Sequence, residues 1–583
     1  MKKIILAGSM ACAIMSTAAL SSCNSWIEED PKGQTTIDKV GDSDDAAATW
    51  VTGVYSKLIY DMFCWGYFPK VLEFDADYIS GPDWLFGTFG VGNFQGESDL
   101  TDALWKGCYG LISRSNTALL NVGAMNNTTP DVKNNAIGEL KFLRAFGYFL
   151  LVRAYGDLPI QPEQATSDYN LPRQPLAKIY DYITTDLEEA ATLLYKNTDR
   201  NYQAGHVSAG SAAALLAKVY ATQASAAMPA GTEITVRTGK TYNGSGDNRT
   251  YAPLQKLTFA KEAVSGYEGM DSKALYAKAA EWAGRVVDGE FGTYELLPYD
   301  KLWKKAYCNA SEFMFSVNSV SGDATYKMSV HMQYDGCRTE AGSEFTDQGG
   351  WVGCTRHWYD LFEDTDLRIV EGVKHRWRVK YQRESNSGFY YPHNNAYCIA
   401  ATGYDLNGNK VGEPTGVYAD GVSYYYSMDS QCLAFTTKYS DVTNNAISNA
   451  DANWPFLRYA DLKLIYAEAL NELDDNRCIE QLNDVRRRSN ASEAYLSGGG
   501  ALDTKVKRRS AIIEERAKEL ACEADRRWDL IRWGIYLQAM NAIEGSDDCG
   551  VLKTRQRRNL LYPIPVPELN TNNAINENNP GWN

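Results

Sequence analysis

Residues 137–160 read IGELKFLRAFGYFLLVRAYGDLPI. Leu140, Leu143, Gly147, Leu150 and Ala154 fall three or four residues apart, which puts them on one face of a helix. The small residues in that stripe leave room for a second helix to approach closely. Gly156 stands where a left-handed C-cap belongs and Pro159 follows shortly after, so the spacing predicts a helix ending near Tyr155 and running into a loop.

The same style recurs on both sides. Amphipathic helices are predicted over Asp45 to Tyr60, Leu104 to Val122, Ile179 to Tyr195, Ser208 to Ala224 with Ser208 as N-cap, and Ser272 to Asp288. Paired helices with alternating small and aromatic positions predict tetratricopeptide-like stacking without a strict repeat period. Glu73 to Asp99, rich in Gly, Asp and aromatic residues, reads mainly as loop. Polar stretches from about Pro229 to Gly269 and from about Lys374 to Asn453 read as insertions with some short strands, the kind of segment where ligand sites commonly lie. Helical character returns at Trp454 with WPFLRYADLKLIYAEALNEL, continues over Ile479 to Asn490, and runs on through Arg508 to Gly534. Pro563, Pro565 and Pro567 predict an extended tail without helix. The fold class read from the residues is mainly α, with tetratricopeptide-like helical pairs and loop-rich insertions between them.

Lys and Arg total 58 against 73 Asp and Glu, a net charge of −15, which argues against nucleic acid as a partner. Lys2 and Lys3 precede an apolar run from Ile4 to Leu20, the layout of an export signal. Leu20-Ser21-Ser22-Cys23 ends it in a pattern resembling the lipobox of bacterial lipoproteins, so Cys23 is the expected lipidation site and membrane anchor. No later stretch approaches the length and apolarity of a membrane helix. The remaining cysteines form no C-x-x-C pair and the five histidines no close-spaced ligand pattern, so zinc is not expected. No cofactor is implied, although structural calcium bound by carboxylates and carbonyls stays open.

Several segments together resemble the SusD/RagB family of Bacteroidetes nutrient-uptake proteins. They are the Cys23 leader with Asp30-Pro31-Lys32-Gly33, Arg144-Ala145-Phe146-Gly147-Tyr148-Phe149 running into Tyr155-Gly156-Asp157-Leu158-Pro159, and Arg458-Tyr459-Ala460 leading to Tyr466-Ala467-Glu468-Ala469. Leu482-Asn483-Asp484-Val485-Arg486, the Glu515 to Gly534 segment, Tyr562-Pro563-Ile564-Pro565 and Asn579-Pro580-Gly581-Trp582 complete the pattern. The resemblance implies a mainly α fold in which tetratricopeptide-like helical pairs pack against an irregular, loop-rich, ligand-binding half, and a lipid-anchored lid on a SusC-like TonB-dependent outer-membrane transporter, exposed at the cell surface, capturing oligosaccharide or polysaccharide without catalysis. It divides the chain into a signal peptide (1–22), a lipidated tether (23–44), an N-terminal helical region (45–225), a variable ligand-binding half (226–453) and a C-terminal helical region with tail (454–583).

Sugar binding requires flat rings to cover apolar C–H faces and polar groups to meet hydroxyls, both exposed and preorganised. The loop Gly81 to Gly87 offers Trp84 and Phe86, with Asp77 and Tyr78 just upstream; Trp303, Tyr334, Arg338 and Trp351 are further candidates. Two other functions stay open. Glu514, Glu515, Glu519 and Glu523 are spaced so that several could share a helix face, as a surface glycoside hydrolase would need. Arg516, Lys518, Arg526 and Arg527 interleave with them, which favours structural ion pairs. A helical-repeat scaffold that binds only protein is the third reading.

Overall fold

The computed structural model describes residues 40–63, 66–95, 98–164, 169–244, 250–325, 327–346, 350–380, 387–391, 423–425 and 433–582. The expected leader, Cys23 and most of the tether lie outside the described residues.

The main helices are α1 (Asp44–Lys57), α2 (Tyr67–Glu73), α3 (Ser98–Ala124), α4 (Pro130–Tyr155), α5 (Leu176–Leu193), α6 (Ala209–Ala227), α7 (Ser272–Val287), α8 (Tyr459–Glu472), α9 (Cys478–Arg488), α10 (Lys505–Glu519) and α11 (Arg526–Arg532). From α3 to α8 each helix packs on the next in sequence, giving the expected stacked pairs, and α9 and α10 then close over α8. Local chemistry sets the boundaries. Ser208 caps α6 in a reciprocal box with Ser211, and Gly156 ends α4 at φ +74° while its N–H donates to Val152 O at 3.0 Å. Gly147 lets α3 and α4 approach, since a Cβ there would stand 3.1 Å from Ile112 Cγ1 and 3.3 Å from Cys108 O.

Three expectations change. Trp454–Arg458 is a strand (β4), antiparallel to Phe313–Val317 (β3), and helix α8 begins only at Tyr459. Pro455 disfavours helix for itself and for Trp454, and β3 supplies partners for the extended chain. The Arg508 to Gly534 segment is two helices, α10 and α11, parted by a turn in which Cys522 and Ala524 adopt φ of +63° and +66°. Lys438 Nζ donates to the carbonyls of Glu519 and Ala521 at 2.9 and 2.8 Å, taking up groups the broken helix frees. The tail contains a short helix, Val566–Thr571, because Pro567 lies in its first turn, where the missing N–H has no partner to lose.

The first insertion contributes a hairpin, β1 (Glu233–Thr238) with β2 (Gln255–Ala260); the second contributes Arg376–Val379, Ser387–Tyr390 and Ser423–Tyr425 to a small sheet completed by Phe345–Thr346. Among the described residues no helix is long and apolar enough to cross a membrane.

Between α8, α10 and α11 the core is ionic. Arg458, fully buried, reaches Glu312 at 2.6 Å, Glu519 at 3.0 Å and Glu523 at 2.7 Å. Arg368 joins Asp366 and Glu515 at 2.7 Å each, and Arg486 reaches Glu515 at 2.8 Å. Arg516 bridges Asp461 (2.6 Å) and Asp529 (2.8 Å), while Arg532 holds Glu468 at 2.5 Å. Burial alone would raise the Glu515 pKa, but Arg368, Arg486 and Lys518 outweigh it and hold the group at about 2.

Candidate functional site

Trp84 and Trp351 are far apart in sequence and adjacent in space. The antiparallel pairing of Ile79 with Cys354 and Ser80 with Gly353 draws the two loops together, and Thr355 N–H extends it by donating to Tyr78 O at 2.9 Å. Beyond the pairing, Asp83–Phe86 forms one helical turn closed by Leu85 and Phe86 N–H groups on Pro82 O, both 2.9 Å. Phe86 points inward and stacks on Phe74 at 4.0 Å, fixing the turn from below. Trp84 on the same turn is 61% exposed. Trp351 is held by its N–H on Gln333 O at 2.7 Å and meets Trp84 edge to face, with centroids 5.2 Å apart and planes at 84°. The preceding Gly350 is at φ +120°, where a Cβ would fall 2.4 Å from Tyr334 O. The pair is therefore a preorganised, half-wet aromatic step on a rigid base.

Two family models match this chain. One, described as the SusD family, covers residues 312–582; the other, described as starch-binding and associating with the outer membrane, covers 93–221. The chain belongs to the SusD family. A SusD-like protein, P2, of Formosa agariphila is 24% identical over 84% of this chain and 83% of its own. A crystal structure of a SusD homologue from Bacteroides thetaiotaomicron superposes with a TM-score of 0.69 at 21% identity, covering 94% of this chain and all (100%) of that one. A laminarin-binding SusD-like protein superposes with a TM-score of 0.63 at 22% identity, covering 93% of this chain and 100% of its own.

In this SusD-family chain the recognisable motifs join distant parts of the molecule. Arg144 of α4 makes 2.8 Å bonds to both carboxylate oxygens of Asp186 on α5 and to Asn116 on α3. Asn579 donates to Tyr155 O (3.0 Å) and Tyr562 O (2.7 Å), and Tyr562 N–H donates to Ala154 O at 2.8 Å. The tail thereby caps the end of α4.

Several sequence candidates stand elsewhere than at the surface. Asp77 is buried and paired with Arg526 at 2.7 Å, its charge already taken up by the scaffold. Tyr78 is buried with its hydroxyl bonded to Arg237 O, Phe86 is buried beneath Trp84, and Tyr334 is buried with its hydroxyl donating to Glu73. None of these four presents a face to solvent. Trp303 is half-buried under Arg458 (5.1 Å) and Lys438 (4.8 Å), as a lid on the ionic core. Arg338 pairs with Asp335 at 3.4 Å. Trp84 and Trp351 are thus the candidates the fold brings together. Gly350 adjoins Trp351 in the sequence, whereas Gln333, whose carbonyl holds Trp351, carries no local signal that links it to the pair.

Glu514, Glu515, Glu519 and Glu523 are each matched by cations. Glu514 meets Arg237 at 2.6 Å and Lys518 at 3.1 Å, Glu515 meets Arg368 and Arg486, Glu519 meets Arg458, Arg488 and Arg368, and Glu523 meets Arg458 and Lys438. The break after α10 also removes Glu523 from a shared helix face. Among the described residues no group of three His, Cys, Asp or Glu side chains is placed to hold a metal ion.

Proposed function

We propose that this SusD-family protein is a non-catalytic glycan receptor of the outer membrane. It captures oligosaccharide or polysaccharide at the cell surface on Trp84 and Trp351 and delivers it to a SusC-like TonB-dependent transporter. The observation that carries the reading is the exposed Trp84 ring standing edge-on to Trp351. Aromatic rings bury apolar C–H faces at low conformational cost, and a rigid base keeps that contact from being weakened by ordering. The starch-binding description of the N-terminal family model and the laminarin-binding structural relative support the ligand class. The cationic partners of Glu514, Glu515, Glu519 and Glu523 support a scaffold role for these acids, since an acid–base pair for glycoside cleavage needs one carboxyl kept protonated beside a free carboxylate. Lipidation of Cys23 supplies the anchor; Cys23→Ala then releases the protein from membranes of cells lacking the transporter.

Affinity electrophoresis of the leaderless protein against a panel of neutral polysaccharides tests the reading. Retardation by at least one of them without release of reducing ends is expected. Sugar release by homogeneous protein, abolished by a single carboxylate substitution, would overturn it.

A further inference from the structure

A second cleft opens where α1 and the turn after it face residues 305–309, the end of β3 with the loop after it (316–319), and residues 451–453. Its volume is about 560 Å³, within the range of about 300–1000 Å³ typical of small-ligand sites. Neither Trp84 nor Trp351 borders it.

Its walls carry amides and hydroxyls in a fixed frame. Asn309 and Asn453 each donate one side-chain N–H to Asn318 Oδ1, at 2.8 and 2.7 Å, and Asn318 donates to Gly205 O at 3.2 Å. Asn453 Oδ1 accepts from Ser319 N–H at 3.0 Å. A primary amide has two N–H donors and two acceptor positions, so this chain of three orients further polar groups without exhausting them. Ser316 is 6% exposed, lines the cleft, and its Oγ has no hydrogen-bond partner among the described residues. A buried hydroxyl left without a partner is costly.

The charges in the cleft cancel locally. Lys305 is paired with Asp451, and His206 with Glu139 at 2.7 Å; the Glu139 hydrogen bond raises the His206 pKa against the opposing effect of burial. With no unpaired cation on its walls, the cleft is unsuited to a phosphate or another anion. Two rings complete it. Tyr55 meets His206 edge to face at 5.2 Å, and Tyr60, 42% exposed, lies at the rim.

We propose that this cleft is a second saccharide-binding site, separate from the Trp84 platform, that takes a short stretch of a neutral, hydroxyl-rich glycan. The three asparagines meet ring hydroxyls, and Tyr60 covers an apolar sugar face.

Hydrogen exchange of the leaderless protein with millimolar maltoheptaose, and separately laminarihexaose, tests it. Residues 305–309, 316–319 and 451–453 are expected to gain protection with at least one of the two, and to keep that gain in Trp84→Ala. Thr52→Trp, at an exposed lining position of α1, is expected to abolish it. Tyr60→Ala, which adds no bulk, is expected to weaken it about tenfold. Protection confined to residues 81–87 would overturn the second site and leave the Trp84 reading standing. Protection in the cleft that Thr52→Trp and Tyr60→Ala both leave unchanged would also overturn it. Cleft protection without protection at 81–87 would uphold the second site and remove Trp84.

Discussion

Arg458 lies between Glu312 and Glu523, with N–O distances of 2.6 and 2.7 Å and no exposure to solvent. It opens α8, Glu312 immediately precedes β3, and Glu523 sits in the turn between α10 and α11. One guanidinium thus fastens three distant segments. Arg458→Met would leave buried carboxylates uncompensated, and the expected loss is about 3–5 kcal/mol of unfolding free energy, read from chemical denaturation. Arg487 also has three acidic neighbours, Glu480, Asp484 and Glu493, but is 47% exposed, so Arg487→Met is expected to change stability by less than about 1 kcal/mol.

Gly350→Ala addresses the base of the aromatic pair. A left-handed backbone and a Cβ 2.4 Å from Tyr334 O force the chain to move, costing on the order of 1–3 kcal/mol. Because Trp351 follows directly, glycan affinity is expected to fall together with melting temperature.

Acid should unfold the protein steeply. Burial opposes ionisation of Glu515 and Asp335, yet their cationic neighbours hold both at about 2, and Glu519 and Asp529 are held low in the same way. Groups with depressed folded pKa values contribute stability above the ordinary carboxylate range and lose it as protons are taken up. Stability is therefore expected to fall between about pH 4.5 and pH 2, measured by thermal melts across that window.

Glu73 has the opposite sign. Burial first of all pushes it up to about 7, against the hydrogen bond from Tyr334. The folded state then holds a proton that the unfolded chain has released, so this group removes stability as pH rises from about 4.5 to 7. Glu73→Gln is expected to flatten that arm relative to the parent protein, by on the order of 1–3 kcal/mol.

Caps and turns were legible in the sequence because their chemistry is local. Gly156 and Ser208 mark helix ends by what their own residues can do, and Trp84 is flanked by Pro82, Asp83 and Gly87. Tertiary pairings were not legible. Trp454–Arg458 is a strand because Phe313–Val317 lies beside it, and the turn at Cys522 and Ala524 exists where Glu523 and two carbonyls meet Arg458 and Lys438. Asp77 and Tyr334 have the side chains of ligand-binding residues, but Arg526 and Glu73 claim them from remote parts of the chain.

On the proposed function, Trp84 binds glycan on a surface the fold does not need for stability. Calorimetric titration of the parent protein and Trp84→Ala with an oligosaccharide taken from a polysaccharide that retards the parent tests it most directly. Affinity weaker by at least about 1 kcal/mol is expected, with an unchanged melting temperature. Equal affinity in the two proteins would contradict it.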